Sequence, residues 1–135
     1  MKQIFFTKGY KYRLEEQYTT QTNIIGYSIK TDYIKLSVVG VLTLQKGFAW
    51  DGPSGPAIDT LDFMRASCEH DAFYKLMRMG LLPISERKNA DLLLKKTCIE
   101  DGMSNFRANY VYFGVHALAS SAANPKNKKK IITAP

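Results

Sequence analysis

The chain predicts an α+β fold: a small N-terminal antiparallel sheet packed on a C-terminal three-helix unit. Three observations predict it. The first half is rich in β-branched and aromatic residues with partial period-two alternation. The second half switches to apolar residues at helical spacing. Strands precede helices instead of alternating with them, the order of α+β rather than α/β proteins. At 135 residues the chain can bury one core without staples, and 45% hydrophobic with 23% charged residues is ordinary globular composition. One domain over residues 1–124 and a basic tail over 125–135 are expected.

Ile4–Phe6, Tyr10–Tyr12, Asn23–Lys30 and Tyr33–Val39 read as strands, with Thr31 and Asp32 as a two-residue hairpin loop between Ile29 and Tyr33. Gly40 and Gly47 punctuate a further strand at Val41–Leu44. Trp50–Pro56 is a turn rich in Gly and Pro. Leu61–Met79 reads as a helix entered through Asp59 or Thr60 and stopped by Gly80. Ser85 is placed to cap a second helix to about Asp101, with Gly102 as its stop. Ser104 is placed to cap a third, from Asn105 to about Ala122, closed by Asn124 and Pro125.

Composition narrows the partners. No apolar run approaches the ~20 residues of a membrane span. The first residues return to charge too soon for a signal peptide, so a transmembrane segment and secretion are not expected. The net charge of +7 owes part of its size to Lys126, Lys128, Lys129 and Lys130. That run can attract phosphate, although a tail of this kind is more often simply a solvated end. The aromatics lack RNA-binding spacing, which makes nucleic acid an unlikely partner. Cys68 and Cys98 could lie at similar heights on antiparallel helices. Cys68 nevertheless points about 160° away from His70, and two reduced structural thiols are expected.

The chemistry concentrates on His70, one of two histidines. On a helical wheel Phe63, Ala66, Phe73, Tyr74 and Met77 fall within about 60° of it, so His70 sits in an apolar stripe and needs a partner. Asp91 flanks the inward stripe of the next helix, formed by Ala90, Leu94 and Cys98. An antiparallel pair would bring it to His70, fixing the tautomer and freeing the other nitrogen to take a proton from water. Asp71 points about 100° to one side, where its oxygens could join Asp51 and the Gly52–Pro56 turn around a calcium ion. Such a cation could polarise an ester carbonyl. A purely structural reading stays open: Asp71 can pair with Arg78 or Lys75, and Asp91 with Arg87 or Lys95. His116 has no carboxylate at helical spacing and is expected to be structural.

Two resemblances follow from these residues. Trp50, Asp51, Gly52 and Ser54, then His70, Asp71 and Tyr74, then Arg87, Ala90 and Asp91 reproduce in order three motifs: Trp-Asp-Gly-x-Ser, His-Asp-x-x-Tyr and Arg-x-x-Ala-Asp. Over roughly residues 45–115 the chain thereby resembles a family of small bacteriophage and prophage proteins with no settled function. That resemblance implies a viral origin, location in the virion or host cytoplasm, and other virion proteins as partners. The His-Asp-x-x-Tyr helix, behind a possible calcium loop and 21 positions before Asp91, also resembles bacterial-type secreted phospholipases A2. There the resemblance implies His70 as base, Asp91 as its orienter, Asp51 and Asp71 as calcium ligands, and anionic phospholipid as partner. The spacing of Cys68 departs from that pattern by one residue. A non-catalytic virion or assembly protein and a host-defence inhibitor remain the alternatives.

Overall fold

The computed structural model describes residues 2–9, 11–52, 60–118, 123–125 and 131–135. It has seven short strands followed by three helices, an α+β arrangement as expected. The strands form two antiparallel sheets instead of one. Strands β1 (Phe6–Lys8), β2 (Tyr12–Leu14) and β7 (Ala49–Trp50) make a sheet of order β1-β2-β7. The second comprises β3 (Tyr18–Gln21), β4 (Ile29–Lys30), β5 (Ile34–Leu36) and β6 (Val41–Leu44), in the order β3-β6-β5-β4. Alternation sets their inward faces: Tyr12 and Leu14, Tyr18 and Thr20, Ile34 and Leu36, Leu42 and Leu44 are buried.

The expected strand at Asn23–Lys30 shrinks to Ile29–Lys30, for a physical reason. Gly26 adopts φ +90°, and Asn23 leaves the sheet to donate to the Asn89 carbonyl at 3.1 Å. The hairpin loop shifts by one residue to Asp32 and Tyr33, because the Thr31 hydroxyl and backbone both bond to Ile34. The strand Tyr18–Gln21 and the pairing of Ala49 and Trp50 with Arg13 and Tyr12 are not legible in the sequence, β7 being only two residues long.

Helix α1 spans Leu61–Arg78, and Thr60 is its N-cap residue. Gly80, at φ +74°, lets the chain turn so that the Gly80 and Leu81 amides bond back to Met77 and Leu76. A 3₁₀ turn, Ile84–Glu86, then precedes α2 (Arg87–Glu100), so Ser85 lies within that turn instead of capping the helix. Helix α3 covers Asn105–Leu118, and the Ser104 hydroxyl accepts the Arg107 amide at 3.2 Å as a cap should. The expected continuation to Ala122 and the alternative cap Asp59 lie outside the described residues.

Two apolar clusters explain why α1 is buried on nearly every side. Trp50, Phe48, Phe73, Leu76 and Met77 form the first with the inward strand residues. Phe63, Ala66, Leu94, Cys98, Met103, Ala108 and Val111 form the second, between the three helices. Helix α1 is thus the central layer, and its polar residues must find partners inside the protein. Cys68 and Cys98 are free thiols in different clusters; burial pushes Cys68 well up and Cys98 to about 12.

Candidate functional site

Packing of α1 on α2 places His70 against Asp91, with Nε2 and Oδ1 2.6 Å apart. Tyr74, one turn on from His70, donates its hydroxyl to the same oxygen at 2.7 Å. Its ring lies 4.1 Å from the imidazole, centroid to centroid. The other carboxylate oxygen, Oδ2, lies 2.8 Å from Nδ1 of His116 on α3. Asp91 therefore joins three donors on two other helices while being 0% exposed. Burial alone would raise its carboxyl, but the bonds from His70, Tyr74 and His116 prevail and lower it. With Asp91 ionised, neutral His70 keeps Nδ1 free of its proton and neutral His116 keeps Nε2 free.

The two imidazoles differ in access. The His70 side chain is 8% exposed, whereas the His116 side chain is 38% exposed. Tyr112 stacks on the His116 ring at 5.6 Å, and Arg87 donates to the His116 carbonyl at 3.3 Å. Burial, reinforced by Asp91, pushes the Tyr74 phenol up, so it remains a donor. Sequence reading assigned His116 a structural role. Its carboxylate partner comes from another helix, which spacing along one helix does not reveal; the only signal is a second histidine within the otherwise uncharged stretch of residues 110–118.

Asp51 and Asp71 also meet. The Asp51 amide donates to Asp71 Oδ2 at 3.3 Å. Burial pushes the Asp71 carboxyl up to about 6, against the pull of His70 and this amide. The exposed Asp51 carboxylate pairs with Lys11 at 3.0 Å. Calcium requires six to eight oxygens. Among the described residues no group of three or more His, Cys, Asp or Glu could hold a metal ion, and the ammonium of Lys11 opposes a cation at Asp51. Ser54 and the rest of the expected Trp50–Pro56 turn from residue 53 onward lie outside the described residues.

Trp50 and Gly52 prove architectural. Trp50 Nε1 donates to Ser67 at 3.0 Å, tying β7 to α1. Gly52 has φ +88°, and a Cβ there would lie 2.3 Å from the Tyr12 ring. Only glycine fits that approach.

A second polar network was not anticipated. Arg65 on α1 donates to both oxygens of Asp101, to Glu100 and to the Tyr18 hydroxyl. Tyr18 and Thr97 both donate to buried Glu69, one turn after Arg65. Burial pushes Glu69 up to about 7, opposed by Arg65 and these donors. An Arg and a Glu at i, i+4 on one helix is the available signal.

No family model, curated protein or solved structure matches this chain. Within the described residues no helix is long and apolar enough to cross a membrane.

Proposed function

We propose that the protein is a phage-encoded ester hydrolase acting by general acid–base catalysis at Asp91 and its two imidazoles, with phospholipid as the substrate class. The observation that supports this reading is the sharing of one buried carboxylate by His70 and His116. The role of base passes to His116, whose ring is the more exposed. Its Nε2 takes a proton from water as the water oxygen attacks the ester carbonyl carbon. The resulting imidazolium returns that proton to the departing alkoxide as the carbon–oxygen bond breaks. Asp91 stabilises the imidazolium between these steps, and His70 and Tyr74 hold Asp91 in place. Arg87, beside His116, supplies positive charge for an oxyanion or headgroup phosphate.

Calcium at Asp51 and Asp71 would have to displace Lys11, and the proposed steps do not depend on it. The test is hydrolysis of a soluble short-chain phospholipid by the unmodified chain and by His116→Ala. Loss of turnover in the variant, with the fold retained, is expected. Equal turnover by both would overturn the assignment.

The low exposure of His70 and Asp91 supports a second reading, a non-catalytic virion or assembly protein, or a host-defence inhibitor, whose helices are locked by this network. It expects no hydrolysis by the unmodified chain.

A further inference from the structure

Helix α3 is apolar on both sides. Ala108 and Val111 face the helical core. On the opposite side Phe106, Tyr110 and Phe113 are 85%, 58% and 68% exposed. With exposed Ala117 they follow i, i+4, i+7, i+11 spacing, a continuous stripe along the helix. A monomer in water gains nothing from such a face, and the chemistry around it indicates what covers it.

No Asp or Glu occurs from Met103 to Pro135. Arg107 and the four lysines Lys126, Lys128, Lys129 and Lys130 contribute five of the seven net positive charges. Arg107 pairs with Asp62 at 3.4 Å, and the four lysines follow the helix in the sequence. Ile131 and Ile132, directly after them, are exposed as well.

We propose that this α3 stripe docks on an anionic lipid bilayer, its aromatics entering the headgroup–acyl boundary while the lysines meet the headgroups. Aromatic rings flanked by basic charge suit that boundary. A second copy of the chain would bring the same positive excess, with no acidic residue on α3 to meet it. Nucleic acid would leave the aliphatic Ile131 and Ile132 without an apolar phase, and the lysines are not interleaved with the aromatics as base stacking favours. His116 lies about 60° round the helix from Phe113, so docking seats its ring close to the headgroups. This last point rests on the hydrolase reading; the docking itself does not.

The experiment is cosedimentation of the full chain with vesicles of phosphatidylcholine alone and of an equal mixture with phosphatidylserine. The unmodified chain is expected to bind the mixed vesicles preferentially. Phe106→Ser combined with Phe113→Ser should weaken that binding at least about tenfold, since each ring loses its apolar burial. Both positions are exposed, and circular dichroism checks that helix content is kept. Replacing the four lysines by alanine provides an independent variant, expected to lose the preference for anionic vesicles. Undiminished binding by the serine variant, or no preference in the unmodified chain, overturns the proposal. So does aromatic-dependent self-association by ultracentrifugation, or aromatic-dependent oligonucleotide binding without vesicle binding. Turnover of a soluble ester, measured in parallel, should be unchanged in the serine variant. Vesicle binding without any turnover would remove the hydrolase and leave the docking face.

Discussion

Asp91 and His116 stand 2.8 Å apart although they lie on different helices, 25 positions from one another. The contact exists because α2 packs against both neighbours and turns one oxygen of the Asp91 carboxylate toward each. A single buried anion thereby ties α1, α2 and α3, and this relationship organises the consequences of substitution.

His70 and His116 should separate on substitution. His70→Ala removes a buried donor and leaves Asp91 under-satisfied, costing roughly 1–3 kcal/mol of stability. His116→Ala, at a partly exposed position, should cost less while abolishing ester turnover. Urea unfolding and a soluble-ester assay on both variants check this. A His116→Ala protein that still turns over would exclude it as the base.

Glu69 should make stability fall as pH rises. Its carboxyl is raised from 4.5 to about 7 in the folded protein. Below the unfolded value both states are protonated; between the two values the folded state holds the extra proton. Stability is therefore lost from about pH 4.5 up to about pH 7 and is flat beyond. Glu69→Gln, permanently neutral, should remove this part of the slope. Between pH 5 and 8 it is expected to lose roughly 1–3 kcal/mol less than the unmodified chain. Parallel slopes would show that Glu69 does not titrate in this range.

Gly52→Ala should be destabilising out of proportion to one methyl group. The new Cβ meets the Tyr12 ring, and the backbone is in the left-handed region. A cost of roughly 1–3 kcal/mol is expected. A melting temperature equal to that of the parent would mean that Tyr12 moves aside freely.

Calcium is tested through Lys11. If Asp51 and Asp71 share a cation, Lys11→Ala removes the competing ammonium, and calcium should raise the variant's melting temperature more than the parent's. No response in either protein would remove calcium from Asp51 and Asp71.

The sequence alone determined the α+β class, the bounds of α1 to within a residue, the glycine stops at Gly80 and Gly102, and the approach of His70 to Asp91. Each rests on local chemistry or on the periodicity of one helix, and the last on pairing two adjacent antiparallel helices. Only the tertiary structure decided that the strands divide into two sheets, with β2 and β7 in one and β3 and β6 in the other, and that Gly26 and the Asn23 contact with α2 shorten a stretch of good β-formers to Ile29–Lys30. It also decided that His116 completes the site and that Arg65 and Glu69 are buried together. Their partners lie on separate elements, and the facing of α3 and β3 toward those residues depends on packing, which no spacing within a segment encodes.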